Sequence, residues 1–298
     1  MVKNCSRPFF FVFLTVFLLF GTALFAQTGG IAVPETEYAK KQIEKYIEAY
    51  TTPFGQKQLA EILDRGEAYR LYVRQEVKNK NLPPALEYLP VVESEYNPLA
   101  VSRSGARGLW QFMDNSIQGL LNKNDYIDER YDPWKSTDAA LKKLEENYAQ
   151  FGDWALAIAA YNCGAGTMKR ILEKSEKKDF WYIAEKGLLR DQSVQYVPKL
   201  LAVYILAAEG EKYGLSLPKT TSSTRFADFD FIETTGKISL DRLSSELKMD
   251  FSILRELNPA LLQGCTPPDQ KYRLRLPSGM EKSARIALTE ILCPGENF

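Results

Sequence analysis

The residue in this chain best suited to chemistry is a glutamate. In P-P-A-L-E-Y-L-P-V-V-E-S-E-Y-N-P, residues 83–98, the pair Pro83-Pro84 fits a first helical turn and predicts a helix over 84–93. On a wheel of about 100° per residue, Glu93 falls within about 40° of both Leu86 and Leu89, so Glu93 shares the apolar stripe that faces a core. Glu87 lies about 120° away and Glu95 points nearly opposite, and both read as solvated acids. Pro90 bends the predicted helix. Desolvation raises the pKa of a carboxyl group, and an acid that stays protonated near neutral pH is what general-acid cleavage of a glycosidic bond requires. A glutamate buried against an arginine, Arg103 or Arg107, satisfies the same pattern, because structural ion pairs also bury acids.

Composition narrows the chemistry further. The chain has 298 residues, 38 basic and 38 acidic, and no histidine. Without histidine, Ser-His and Cys-His nucleophile systems are excluded and the commonest zinc ligand is missing. Carboxylates, hydroxyls and amides remain, and neither a metal nor an organic cofactor is expected. Without residues 1–26, which carry Lys3 and Arg7, 36 basic residues face 38 acidic ones. That balance argues against a nucleic-acid partner, which favours a basic face. A hydrophobic content of 45% permits a sizeable core in one to three domains.

The text around Glu93 then carries a resemblance. E-S-E-Y-N-P from Glu93, S-R-S-G-A-R-G-L-W-Q-F-M at 102–113 and A-A-Y-N-C-G-A-G at 159–166, in this order and spacing, resemble the family-one lytic transglycosylases. These have a lysozyme-like (goose-type) fold and cleave peptidoglycan. The likeness spans residues 40–215. It implies Glu93 as the catalytic acid, Ser102 as a contact to the N-acetyl sugar, and Gln111 and Met113 as cleft walls. It implies that Tyr161 holds Glu93 or the sugar through its hydroxyl and that Asn162 orients neighbouring backbone. Trp110 and Phe112 read as core residues. Two positions depart from the family pattern: Gln192-Ser193 stands where a Glu-Thr pair is usual, and Asp114 where proline is frequent. The family mechanism uses no water and no second carboxylate, and leaves a 1,6-anhydro sugar. Two other readings are open: a lysozyme-type hydrolase in which Asp114, Asp125 or Asp191 activates water, and a non-catalytic peptidoglycan-binding protein.

Several elements must position these residues. Met1–Ala26 reads as a secretory signal, with Lys3 and Arg7, an apolar run and a small-residue end at Ala23 or Ala26. An uncleaved membrane anchor is the alternative. Either way the body is exported, to periplasm or cell envelope. Cys5 precedes the apolar run, so no lipobox is present. Residues 34–82 read as two helices broken at Pro53-Phe54-Gly55, with Ile43, Tyr46, Ile47 and Tyr50 at helical spacing. Residues 83–215 form the expected catalytic domain. Pro98, Gly105 and Gly108 exclude one regular helix after Glu93. A helix is predicted from Asp138, as its cap, to Phe151. A second, W-A-L-A-I-A-A-Y-N, is apolar all round and reads as the buried central helix, stopped at Gly164 and Gly166. A last helix spans 194–213.

After a linker-like run at 220–224, residues 225–279 follow a β-α-α-β order that resembles a LysM carbohydrate-binding module with a degenerate glycine-threonine start. Binding to glycan strands is implied, with a structural appendage as the alternative. Residues 280–298 read as a closing helix and tail. An oxidising compartment permits a disulfide; Cys265–Cys293 is the expected pair, with Cys163 a small buried packing residue. The fold class is therefore mainly α, and a monomer is expected.

Overall fold

A computed structural model describes residues 28–219 and 224–292. The predicted signal segment, most of the 220–224 linker and Cys293, expected to pair with Cys265, lie outside the described residues. The described chain is mainly helical, with one small antiparallel sheet, and divides into two units whose boundaries cut across the chain.

The first unit holds residues 28–57, Val77–Tyr88 and Leu144–Leu217. Helix α1, Glu37–Thr51, is capped by Thr36, whose side chain accepts from the Ala39 amide at 3.2 Å. It buries Ala39, Ile43 and Tyr50, close to the predicted stripe. Pro53 does not merely break the chain. It opens α2, Pro53–Arg65, at the position where a missing amide costs nothing, with the Thr52 hydroxyl accepting from the Gly55 amide at 3.0 Å. Later in this unit come α6, Trp154–Cys163, α7, Ala165–Lys174, α8, Phe180–Glu185, and α9, Asp191–Glu209. Helix α6 is buried from Ala155 to Ala160, as its all-round apolar sequence predicts. Its small alanines let α9 pack closely against it, and α9 also packs on α1. Asp153 caps α6 by accepting from the Leu156 amide at 2.8 Å, and Gly164 ends it at φ 87°. Gly166 lies inside α7, so only the first glycine is a stop.

The second unit holds Gln58–Glu76, Leu89–Lys143 and Pro218 onward. The predicted long helix after Pro53 is divided at Gly66 into α2 and α3, Glu67–Asn79. A Cβ at Gly66 would come within 2.7 Å of the Tyr96 ring, so the break is where a buried aromatic crosses the backbone. The helix predicted over 84–93 is likewise two pieces, a 3₁₀ turn at Pro84–Tyr88 and α4, Leu89–Ser94. Glu87, read from the wheel as solvated, is 5% exposed, because the tighter 3₁₀ turn rotates it away from its α-helical angle. Helix α5, Pro133–Phe151, starts five residues earlier than predicted. Its cap is Asp132, which accepts from the amides of Trp134 at 3.1 Å and Lys135 at 3.0 Å. Asp138 instead accepts from the Tyr72 hydroxyl at 2.8 Å.

The C-terminal module follows the predicted order: β1, Phe229–Thr234; α10, Leu240–Glu246; α11, Phe251–Leu257; β2, Tyr272–Pro277; and α12, Glu281–Leu292. The strands pair antiparallel, Phe229 opposite Pro277 through Thr234 opposite Tyr272. The module is docked on its own unit rather than tethered. Ile127 packs into the same apolar cluster as Ile238, Leu240, Leu254 and Leu274, and the Asp128 amide donates to the Ala260 carbonyl at 3.0 Å. At the centre of this contact the Arg275 guanidinium donates to Asp132 at 2.5 Å, with the two side chains 6% and 0% exposed. The same guanidinium lies 4.4 Å over the Trp134 ring, and the Asn258 side chain bonds the Arg275 amide and carbonyl at 2.9 and 2.8 Å.

Removing one member of a buried ion pair strands the other charge, at a cost of about 3–5 kcal/mol. Asp132→Ala also removes the α5 cap, worth about 1 kcal/mol. Thermal and urea unfolding of Arg275→Ala and Asp132→Ala are expected to show both losses, larger in Asp132→Ala; unchanged midpoints would show that the module does not depend on this pair.

Candidate functional site

Helix α4 carries Glu93 on its last turn, half-buried, with Glu95 just beyond it and exposed. The chain then reverses through two consecutive non-glycine residues with positive φ, Glu95 at 53° and Tyr96 at 56°. That conformation costs free energy and persists only where surrounding contacts over-determine it. Here Tyr96 is fully buried, the Glu95 carbonyl accepts from Arg65 at 2.8 Å, and the Tyr96 amide donates to the Pro90 carbonyl at 3.1 Å. The neighbouring Ser94 hydroxyl donates to the Leu109 carbonyl at 2.7 Å. The end of the Glu93 helix is thereby stapled to the G-L-W-Q block.

That block is irregular, as the glycines and Pro98 predict. Isolated bridges join Val101 to Arg107 and Arg107 to Phe112. Ser102 is half-buried; its hydroxyl accepts from the Ala106 amide at 3.0 Å and lies 3.1 Å from the Ser104 hydroxyl. Gln111 sits at φ 49°, and its amide donates to the carbonyls of Gly108 at 2.9 Å and Ala100 at 3.3 Å. Its side-chain nitrogen thus braces the loop from within. Met113 is 38% exposed, whereas Trp110 and Phe112 are buried, Trp110 donating to Thr137 at 2.8 Å. Arg107, a candidate partner for the glutamate, donates to the Tyr131 hydroxyl at 2.5 Å. Gly108 has φ 78°, and a Cβ there would fall 1.7 Å from the Arg130 carbonyl oxygen. Only glycine fits, which is the physical content of the G in G-L-W-Q.

The acids considered as water activators have other engagements or stand in solvent. Asp114 accepts from Lys123 at 2.7 Å. That hydrogen bond holds its carboxyl below the usual range. Buried Arg130 comes within 3.5 Å of Asp114, but its bidentate partner is Asp128, at 2.9 and 2.7 Å. Asp125 and Asp191 are exposed.

Glu93, Ser102, Gln111 and Met113 belong to the second unit, and Tyr161 and Asn162 to the first. Tyr161 and Asn162 are half-buried on the last turn of α6, beyond its alanine-rich core. Asn162 accepts at 2.8 Å from the hydroxyl of Ser193, itself 4% exposed. Ser193, in the pair that departs from the usual Glu-Thr, thus gives Asn162 a polar partner. The two residues are 31 positions apart, so no local motif shows the bond. Cys163 is half-buried in the wall of a pocket of about 610 Å³ rather than packed in the core, since α6 emerges from its buried stretch before reaching it. Burial pushes its thiol above the ordinary cysteine range.

Two outcomes follow. Gly108→Ala is expected to cost at least about 1–3 kcal/mol, the cost of backbone strain and overpacking, and to appear as a lowered melting temperature; an unchanged melt would mean the loop tolerates a side chain. Alkylation of Cys163, followed by peptide mass spectrometry, is expected to be slower at pH 8 than that of a free cysteine and to accelerate only as pH rises past the ordinary thiol range, because the thiolate is the reactive form.

The described residues include no cluster of three or more potential metal ligands, and no described helix is long and apolar enough to cross a membrane. Residues 71–184 match the family described as Transglycosylase SLT domain, and residues 228–292 match Lytic transglycosylase MltD, LysM-like domain. The chain is 32% identical over 204 residues to membrane-bound lytic murein transglycosylase D of Escherichia coli (strain K12), covering 66% of this chain and 43% of that protein. It is 37% identical over 116 residues to a putative tributyltin chloride resistance protein of Alteromonas sp. (strain M-1), covering 38% of this chain and 56% of that one. It is 30% identical over 133 residues to membrane-bound lytic murein transglycosylase F of Serratia proteamaculans (strain 568), covering 41% and 26%. The chain thus spans less than half the length of either transglycosylase. Residues 71–184 are thus a transglycosylase SLT domain with a lysozyme-like fold, and residues 228–292 a LysM-like domain of the lytic transglycosylase MltD type.

Proposed function

We propose that this protein is a peptidoglycan lytic transglycosylase that cleaves the bond between N-acetylmuramic acid and N-acetylglucosamine without water. The observation that carries the reading is the placement of Glu93. It stands at the end of a short helix whose terminus is strained and stapled by Ser94 to the G-L-W-Q loop, inside the SLT match. Strained backbone of this kind concentrates at functional sites.

In the proposed reaction Glu93 gives its proton to the glycosidic oxygen as the C1–oxygen bond breaks. The substrate's acetamide carbonyl stabilises the positive charge at C1. Glu93, now ionised, takes the proton of the C6 hydroxyl, whose oxygen bonds to C1 and closes the 1,6-anhydro ring. Holding an intramolecular nucleophile near C1 is the main entropic gain. Ser102, Gln111 and Met113 are assigned to the sugar, and Tyr161 and Asn162 to further substrate contacts. The engagement of Asp114 by Lys123 favours this reading over the lysozyme-type hydrolase, which needs a second free carboxylate. The LysM-like module is assigned to glycan strands, the protein to the cell envelope, and its state to monomer.

Mass spectrometry of soluble products from purified peptidoglycan tests the reaction: products lighter by one water than reducing muropeptides are expected, and reducing ends would mean that water attacks. Glu93→Gln is expected to lose at least about 10²–10⁴-fold in turnover, the usual worth of general acid catalysis, with its melting temperature preserved. A variant that kept most of its activity would remove Glu93 from the mechanism.

A further inference from the structure

The pocket beside Asn162 has a composition that the reaction at Glu93 does not use. It is enclosed by α7, the turn at 186–190 and the first turn of α9, and has a volume of about 610 Å³. That volume lies within the range of about 300–1,000 Å³ typical of ligand sites. Arg170, Lys174 and Arg190 line it, and no carboxylate does. None of these three cations forms an ion pair among the described residues. In a chain with 38 basic and 38 acidic residues, three unpaired cations around one concavity form a local positive field that attracts anions. Arg170 is partly held in place, donating to the Gly166 carbonyl at 3.2 Å and the Thr167 hydroxyl at 3.3 Å. Ile171, Leu188 and Leu189 supply apolar surface between the charges, with Leu188 43% exposed. Asn162 and Ser193, joined by their hydrogen bond, close one end.

We infer that this pocket is a recognition site for the carboxylate-bearing peptide stem of peptidoglycan. The inference rests on the reading of the chain as a peptidoglycan enzyme and names which part of the substrate that reading leaves unassigned. A stem is a short peptide that carries several free carboxylates, and one ammonium on diaminopimelate, between small apolar alanines. Three separated cations with apolar surface between them match that pattern. A bare sugar chain has far fewer negative groups to offer them. The stem attaches to the muramic acid sugar, and the pocket is walled by Asn162, already assigned to substrate contact.

Titration calorimetry with a free tetrapeptide stem (alanine, γ-linked glutamate, diaminopimelate, alanine) tests the site without any need for turnover. The wild-type protein is expected to bind it, more weakly as salt is raised. The triple variant Arg170→Gln/Lys174→Gln/Arg190→Gln is expected to bind at least about tenfold more weakly, about 0.5 kcal/mol for each exposed contact. A control that neutralises Lys41, Lys237 and Lys282, exposed cations outside the pocket, is expected to bind like wild type. Equal affinity of wild type and triple variant, or no binding by wild type, overturns the assignment. Inorganic phosphate or stem-free glycan binding as tightly as the stem, and lost equally in the triple variant, overturns it in favour of a general anion site. Because binding is read directly, stem binding without anhydro products would sink the proposed reaction alone, and anhydro products without stem binding would sink the pocket alone.

Discussion

One buried carboxylate organises the second unit. Asp132 is fully enclosed and spends one oxygen on the first amides of α5 and the other on Arg275. Burying a charge is unfavourable unless each of its lone pairs finds a donor, and here the donors come from two distant parts of the chain. The helix that follows Y-D-P and the second strand of the C-terminal module are therefore joined at a single group. The stacking of Arg275 on Trp134 and the clasp of Asn258 around its backbone hold the arginine where that carboxylate needs it. The Arg275 Nε is buried with no hydrogen-bond partner among the described residues, so the contact relies on the ion pair and the aromatic faces rather than on complete hydrogen bonding.

This contact changes what the C-terminal module is. In the sequence this β-α-α-β unit is marked off only by the linker-like run at 220–224. In the fold, Ile127 is part of its apolar cluster and the backbone of residues 126–128 pairs with that of 260–262. The same segment contains Arg130, whose carbonyl occupies the space that Gly108 leaves open. A chain of close contacts thus runs from the LysM-like module through residues 126–132 to the G-L-W-Q loop, and from that loop through the Ser94 hydroxyl to the end of the Glu93 helix. Glutamine 111 and Tyr96 hold left-handed backbone within this chain of contacts, and both are fastened by groups that flank them on the same unit.

Local chemistry in the sequence was enough for much of this. The all-apolar W-A-L-A-I-A-A run read as a buried helix and is one, and the first of the two glycines expected to stop it, Gly164, does so with left-handed geometry. The β-α-α-β order after residue 225 was legible as strand-like and helix-like segments whose order resembles a LysM module, and the fold has it. The blocks around Glu93, Ser102, Gln111, Tyr161 and Asn162 identified the SLT domain because their residue types and spacing are specific. Trp110 and Phe112 read as core and are core.

What the sequence could not supply were the contacts made at long range. A helical wheel assumes a uniform 100° step, so it misassigned Glu87 once residues 84–88 took the tighter 3₁₀ turn. The sequence reading put the cap at Asp138 and passed over Asp132-Pro133, although an acid followed by proline is itself a local start signal; no local rule shows that the same carboxylate is also the partner of Arg275. The break at Gly66 needs the Tyr96 ring, and the role of Ser193 needs Asn162, 31 residues away. The motifs of the chain marked its SLT and LysM-like domains, most of its helices and its candidate acid, since those depend on neighbours along the backbone. Tertiary structure alone decided which buried charges pair, which glycines are obligatory and which cations share a pocket, since those depend on atoms that meet only after folding.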